Sequence, residues 1–191
     1  MKINPTMTLG EFAAVISDHL KTKGITTTLT GGAVVSIYTN NEYESGDVDF
    51  ISPREHAMII AAMAELGFDR VTASSKALKH PDSPFLIEFP PRSVYLGGEY
   101  QETVGEVEIA GTTVKILTPT QSCMDRILRY FCGWNDVQGL EQAEMIASEH
   151  PVSISRILKW AKVEGANPEH LKEIKKRLTA AQKGFVNKSR Y

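Results

Sequence analysis

Residues 29–51 read LTGGAVVSIYTNNEYESGDVDFI, and this stretch decides how the chain folds. A β-branched run, Thr26–Thr30, leads into the glycine pair Gly31–Gly32, and a short apolar segment follows. After a polar loop, a second β-like run carries Asp47 and Asp49. The pattern predicts a strand, a short helix and a second strand in immediate succession.

The two aspartates predict a metal site. Side chains alternate between the faces of a strand, so Asp47 and Asp49 share one face and lie roughly 6–7 Å apart along it. Two neighbouring carboxylates repel each other and raise each other's pKa. Binding of a divalent cation relieves this repulsion, and hard cations such as Mg²⁺ prefer carboxylate oxygens. The glycine pair leaves room for backbone N–H groups to approach a phosphate near the start of a helix.

The order Gly-Gly, helix and Asp-x-Asp resembles the signature of the nucleotidyltransferase superfamily related to DNA polymerase beta, with Gly32 and Asp47 15 positions apart. Ser45 before Gly46-Asp47-Val48-Asp49 is similar to the S-x-D-h-D form of abortive-infection-type nucleotidyltransferases of toxin–antitoxin systems. Two further stretches resemble small bacterial nucleotidyltransferase-like proteins, namely His80-Pro81 with Glu88-Phe89-Pro90-Pro91, and Asp125-Arg126 with Trp134, Asp136, Gln138 and Glu141-Gln142-Ala143.

The resemblance implies an α/β (α+β) fold in which a mixed sheet with flanking helices is followed by a helical module. It also implies a set of site residues. The catalytic, metal-binding carboxylates are Asp47, Asp49 and Glu88, with Mg²⁺ or Mn²⁺ as cofactor, and Glu88 departs from the aspartate that relatives usually carry at this place. The nucleotide-binding residues are Gly31, Gly32, Ser36, Ser45, Arg126, Arg129 and Asp136.

Several of these residues also have a purely structural interpretation. Ser36 could bond within its own helix, and Asp136 could cap the next helix. Asp125 and Arg129, four apart on a predicted helix, could form a surface ion pair. His80 and Arg92 flank the predicted strand that carries Glu88, as a loop histidine and a possible phosphate clamp.

The chain divides into a predicted α/β domain, residues 1–117, and a helical domain, residues 118–191. A capping box at Thr8 and Glu11 predicts the first helix, and a second at Ser52 and Glu55 predicts another. Further strands are predicted at 68–73, 85–89, 104–109 and 113–117, and further helices at about 119–131, 137–148, 153–164 and 168–183. Trp134 is predicted at the joint between the domains, and Trp160 in the core.

Composition limits the class of protein. Apolar residues make up 42% of the 191, which allows a sizeable core. No run of about 18 apolar residues and no apolar signal core occur, so neither a membrane partner nor secretion is expected. Two cysteines, Cys123 and Cys132, suit neither a disulfide framework nor a zinc motif. A cytoplasmic location is therefore expected.

Charge is distributed unevenly along the chain. Residues 1–150 contain 11 Lys and Arg and 20 Asp and Glu, a net charge of −9, whereas residues 151–191 contain 10 and 3, a net charge of +7. The basic segment predicts either a nucleic-acid contact or the solvated face of a final helix.

These patterns predict a Mg²⁺-dependent transfer of a nucleoside monophosphate from an NTP to a hydroxyl acceptor. The resemblance to toxin–antitoxin proteins suggests tRNA or a partner protein as the acceptor. Two alternatives remain open: a non-catalytic nucleotide-binding antitoxin or sensor on the same fold, and an aminoglycoside-type transferase.

Overall fold

The computed structural model describes residues 2–90, 93–132 and 136–188. Within these ranges the helices are α1 (Leu9–Thr22), α2 (Gly31–Tyr38), α3 (His56–Glu65), α4 (Pro119–Phe131), α5 (Val137–Glu149), α6 (Ile154–Val163) and α7 (Pro168–Lys188). The strands are β1 (Thr28–Thr30), β2 (Asp47–Ile51), β3 (Asp69–Arg70), β4 (Leu78–Lys79), β5 (Leu86–Glu88), β6 (Tyr95–Leu96), β7 (Glu99–Tyr100), β8 (Gly105–Ile109) and β9 (Thr112–Ile116).

Seven strands form one mixed sheet in the order β3-β4-β5-β2-β1-β9-β8, and β6 and β7 form a separate hairpin. Strand β2 runs antiparallel to β1 and parallel to β5, while β1 runs parallel to β9. A mixed sheet with flanking helices, followed by the helical segment α4 to α7, confirms the predicted fold class.

The first helix follows its sequence signals closely. The Thr8 hydroxyl accepts a hydrogen bond from the Glu11 backbone N–H, and the Glu11 carboxylate accepts one from the Thr8 backbone N–H. Both bonds satisfy groups that would otherwise lack partners at the helix start. The apolar face of α1 includes Phe12 and Ile16, both fully buried against the sheet. The predicted start of the helix is confirmed.

Strand β2 has one face in the core and one face away from it. Val48 and Phe50 are fully buried in the cluster that also holds Ile87 of β5. Burying each such side chain contributes about 1.5–3 kcal/mol. A register slip of one residue would move the aspartates into this core, so the alternation fixes Asp47 and Asp49 on the opposite face.

The predicted capping box before α3 is wrong. The helix begins at His56, and its N-cap, Glu55, makes no side-chain capping bond. The Ser52 hydroxyl instead donates to the Thr26 carbonyl at 2.7 Å and accepts from the Arg54 N–H at 3.3 Å. The Ser52 oxygen is thus used by the N–H of Arg54, which lies two residues before the first residue of α3.

Helix α4 begins at Pro119, as predicted, and the structure adds a capping box between Thr118 and Gln121 that the sequence analysis did not identify. The helices of this second half of the chain surround a second buried cluster. That cluster also includes Val35, Leu96 and Leu117 from the preceding part of the chain. The domain boundary at residue 117 stays a prediction, because the two clusters share chain segments.

Three short strands, β4, β6 and β7, lie outside the predicted elements, and the strand predicted at 68–73 is reduced to Asp69–Arg70. The hairpin turn between β8 and β9 is as predicted, with positive φ at Ala110 and Gly111. Among the described residues, no helix is both long and apolar enough to cross a bilayer.

Candidate functional site

The candidate site lies on the face of β2 and β5 that points away from the core. Asp49 and Glu88 are direct Cα partners across these parallel strands, so their side chains lie side by side on one face. Both are partly buried, whereas Asp47, two residues earlier on the same face, is exposed. Neighbouring strands lie about 4.8 Å apart. The structure therefore places the three predicted carboxylates on one face of two adjacent strands.

The environment of Asp49 disfavours its charge. Burial, together with the negative charges of Asp47 and Glu88, raises the pKa of Asp49 from 3.8 to about 6. The positive charge of Arg126 acts in the opposite direction. A cation bound beside Asp49 would stabilise its ionised form, because the cation offsets both the lost hydration and the repulsion by the neighbouring carboxylates.

The glycine pair lies against these carboxylates. Gly31 has a φ of +74°, which only glycine adopts readily, and it opens α2 directly after β1. A Cβ atom at Gly31 would lie 2.4 Å from Asp49 Oδ2. A Cβ atom at Gly32 would lie 2.7 Å from Ser45 Oγ. The turn therefore approaches the aspartates so closely that neither position has space for a side chain.

The two predicted serine ligands are already hydrogen-bonded. Ser36 is fully buried, and its Oγ donates to the Gly32 carbonyl at 3.4 Å and accepts from the Ser45 N–H at 3.0 Å. Ser45 is 7% exposed, and its Oγ lies 2.9 Å from Asp47 Oδ1 and 3.0 Å from the Asp47 main-chain oxygen. The serines thus link the glycine turn to the first aspartate. Their predicted contact with a nucleotide stays a prediction.

Helix α4 contributes a charged pair to the site. Arg126 is 8% exposed, and its guanidinium donates to the Asp125 carboxylate, with Nε 3.0 Å from Oδ2. Both charges act on Asp49. The structure therefore places predicted Arg126 near the carboxylates, and it adds Asp125, which the sequence had paired with Arg129. Helical spacing predicts pairs between residues i and i+4, so it does not indicate a pair between the adjacent residues Asp125 and Arg126.

Arg129 and Asp136 lie together at the junction of α4 and α5. Arg129 Nε donates to Asp136 Oδ2 at 2.8 Å, and this hydrogen bond lowers the pKa of Asp136. The structure pairs Arg129 with Asp136 and Arg126 with Asp125, so the alternative pairing of Arg129 with Asp125 is wrong. A nucleotide contact of Arg129 and Asp136 stays a prediction.

The remaining predicted residues differ in outcome. His80 packs beside Phe68 with ring centroids 5.2 Å apart, and its Nδ1 accepts from the Asp82 N–H at 3.0 Å. The structure gives His80 a role in holding its own loop. Arg92 and Trp134 lie outside the described residues. Trp160 is 3% exposed, which confirms its core placement.

The site fits a hard divalent cation in its donor chemistry. Across residues 2–90, 93–132 and 136–188, no group of three or more His, Cys, Asp or Glu side chains is arranged to hold a metal ion on its own. Mg²⁺ commonly binds through one or two carboxylates together with phosphate oxygens of the substrate. The carboxylate oxygens and the raised pKa of Asp49 suit that mode of binding.

No family model matches the sequence, and no curated protein matches it. Among solved structures, the chain is similar to an antigenic nucleotidyltransferase-like protein from Paracoccidioides brasiliensis, with 17% identity, a TM-score of 0.64 and 95% of each chain covered. It is also similar to ANT(2'')-Ia in complex with adenylyl-2''-tobramycin, with 14% identity, a TM-score of 0.52, and 91% of this chain and 98% of that chain covered.

A solution structure of the antibiotic-resistance factor ANT(2'')-Ia is similar as well, with 13% identity, a TM-score of 0.52, and 96% of this chain and 99% of that chain covered. These similarities extend over nearly the whole of each chain, so they include the helical segment as well as the sheet. The chain therefore shares its fold with these solved structures.

Proposed function

We propose that the protein is a Mg²⁺-dependent nucleotidyltransferase that moves a nucleoside monophosphate from an NTP to a hydroxyl acceptor. The observation that carries the proposal is the placement of Asp49 beside Glu88 on adjacent parallel strands, with Gly31 packed against Asp49. Three carboxylates on one sheet face next to a side-chain-free turn offer a place for a metal-bound triphosphate.

Each residue has a role in this reaction. Asp47, Asp49 and Glu88 would hold the metal, which when bound supplies positive charge to the α-phosphate and to the pyrophosphate leaving group. The acceptor oxygen bonds to the α-phosphorus, and the bond from that phosphorus to the bridging oxygen breaks. The proton of the acceptor hydroxyl passes to the Glu88 carboxylate. Pyrophosphate leaves.

The triphosphate has two candidate anchors. The first is the start of α2, where the backbone N–H groups at and after Gly32 have no partners within the helix. The second is Arg126, whose guanidinium lies beside the carboxylates and is shared with Asp125. A planar guanidinium suits phosphate oxygens because it can donate two parallel hydrogen bonds.

Turnover with each of the four labelled NTPs tests the proposal. Pyrophosphate release and label transfer should require Mg²⁺ and should be lost in Asp49→Asn. The matched control is Asp69→Asn, which changes an exposed aspartate on edge strand β3 of the same sheet. Nucleotide binding without turnover across all acceptors would favour the alternative of a non-catalytic antitoxin or sensor. Equal loss in both variants would contradict the assignment of Asp49.

A small cationic acceptor is the first acceptor to test. The neighbour ANT(2'')-Ia was solved with adenylyl-2''-tobramycin, and residues 1–150 of this chain carry a net charge of −9. Negative charge around the site attracts a polycation and repels a polyanion. Tobramycin is therefore the first acceptor to assay, with product detected by mass spectrometry.

RNA is the second candidate acceptor, and the exposed face of α7 favours it. Lys172, Lys175 and Lys176 are exposed on this helix. Arg177, which the sequence grouped with them, instead forms an ion pair with Glu144 of α5. If tRNA is the acceptor, replacing the three lysines by glutamate should weaken tRNA binding and flatten its salt dependence, while NTP binding stays unchanged. If tRNA affinity changes neither with salt concentration nor with the substitutions, this face of α7 is not the tRNA-binding surface.

A further inference from the structure

The hydroxyl hydrogens of Ser36 and Ser45 are both in use. A serine hydroxyl has one hydrogen to donate. That of Ser36 points to the Gly32 carbonyl, 3.4 Å away, and that of Ser45 lies between two oxygens of Asp47, at 2.9 and 3.0 Å. A phosphate oxygen only accepts hydrogen bonds at neutral pH. Either serine would have to release its present partner before it could bind a triphosphate.

The acceptor side of Ser36 completes a continuous connection. Its Oγ accepts the Ser45 backbone N–H at 3.0 Å, in an environment from which solvent is excluded, since Ser36 is fully buried. The connection therefore runs from Gly32 on α2, through Ser36 and Ser45, to the carboxylate of Asp47. The close approach of Ser45 Oγ also accounts for the glycine at position 32, where a Cβ atom would lie 2.7 Å away.

Asp47 needs such a connection more than Asp49 does. Asp49 is partly buried and lies against Gly31, whereas Asp47 is exposed at the start of β2. An exposed aspartate without a partner samples several rotamers, and a metal ligand must be held in one of them. The bond from Ser45 selects one orientation of the Asp47 carboxylate and leaves its second oxygen for another partner.

We propose that Ser36 and Ser45 are positioning residues that hold the Asp47 carboxylate in its metal-binding orientation, and that they are not ligands of the triphosphate. This inference rests on the proposed function, because it assigns Asp47 to the metal. We call the connection Gly32–Ser36–Ser45–Asp47 the serine strut. Partners that orient a metal ligand in this way affect metal affinity although they never touch the metal.

Binding of Mn²⁺, followed by electron paramagnetic resonance in the absence of nucleotide, tests the serine strut. Ser45→Ala should weaken Mn²⁺ affinity by about 10- to 100-fold. The matched control is Ser52→Ala, which removes a hydroxyl from just beyond the other end of β2; Ser52 is 5% exposed, and its hydroxyl donates to the Thr26 carbonyl at 2.7 Å. This variant should bind Mn²⁺ like the wild type. If Ser45→Ala does not fold, Ser45→Cys replaces it, since a thiol keeps the shape but donates weakly.

Two results would overturn the inference: wild-type Mn²⁺ affinity in the Ser45 variant, or an equal loss in the Ser52 control. A wild type that binds no Mn²⁺ without nucleotide would agree with a metal that needs phosphate oxygens as further ligands, and the turnover assay tests the metal site separately. The serine strut is then judged by a double-mutant cycle between Ser45→Ala and Asp47→Ala in EDTA, since each substitution removes one partner of the hydrogen bond. Coupling of at least about tenfold in the unfolding equilibrium constant supports the strut, as expected for a hydrogen bond to a charged group. Additive effects overturn it.

Discussion

The substitution Asp49→Asn should stabilise the metal-free protein at neutral pH. Burial and the charges of Asp47 and Glu88 raise the pKa of Asp49 from 3.8 to about 6. The folded state therefore binds this proton more tightly than the unfolded chain does, and the ionised carboxylate destabilises the fold. Because each pKa unit corresponds to about 1.36 kcal/mol, a shift of about 2 units amounts to about 3 kcal/mol. Asparagine keeps the shape of the side chain and removes the charge.

The sign of the pH dependence follows from this shift. Below about pH 4 the carboxyl group of Asp49 is protonated in both states, so the penalty is absent. As the pH rises from about 4 to about 6, the unfolded chain ionises first, and the free energy of unfolding of the wild type falls relative to that of Asp49→Asn. Above about pH 6 the difference between the two proteins is constant at its largest value, about 3 kcal/mol.

Urea denaturation in EDTA at several values between about pH 4 and pH 8 measures this difference, with Asp69→Asn as the exposed control. A stability gain that is the same at pH 4 and pH 8, or a loss of stability at pH 8, would refute the reasoning. Added Mg²⁺ should raise the free energy of unfolding of the wild type more than that of Asp49→Asn, because a ligand stabilises only the state that binds it.

Three further substitutions test the packing that supports the site. Gly31→Ala should destabilise the protein by more than Gly24→Ala. Both residues have φ near +70°, which costs about 1–2 kcal/mol for alanine. At Gly31 the added Cβ atom would also lie 2.4 Å from Asp49 Oδ2, whereas at Gly24 it would have no atom within 4 Å. Gly139→Ala should lower the free energy of unfolding by about 1–3 kcal/mol in urea denaturation, since its Cβ atom would lie 2.4 Å from a backbone oxygen of α4. The control Gly184→Ala adds a Cβ atom in open space on α7 and should be neutral or stabilising. Trp160→Phe should lower the free energy of unfolding by about 1–3 kcal/mol, because the indole N–H donates at 3.0 Å to a buried carbonyl oxygen of strand β6.

Local patterns in the sequence predicted the elements that carry the site. The Gly31–Gly32 turn, the alternation around Asp47 and Asp49, and the capping box at Thr8 depend on neighbours a few residues away, and all three have the predicted structure. Sequence alternation also placed Glu88 on a strand. Its pairing with Asp49 depends on the order of strands in the sheet, which local patterns do not contain.

The sequence was less informative where one side chain had a choice of partners. Ser52 fits a capping box by spacing, but its hydroxyl bonds to Thr26, 26 residues away in the chain. Arg129 could pair with Asp125 within α4 by spacing, but in the structure it pairs with Asp136 and Asp125 pairs with Arg126. Such choices are decided by tertiary packing, and a pattern of residue types carries no information about it.

The second hydrophobic cluster has a consequence for the synthesis of the protein. The other fully buried members of the cluster that holds Val35, Leu96 and Leu117 all lie later in the chain, between residues 123 and 178. The β6–β7 hairpin is likewise hydrogen-bonded to Trp160, 64 residues after Leu96. While only the sheet-forming part of the nascent chain has emerged from the ribosome, these apolar residues would therefore be exposed to solvent. We expect the nascent chain to complete its folding late, when α6 and α7 have emerged, and proteins cut short before α6 to be substrates for chaperones and proteases.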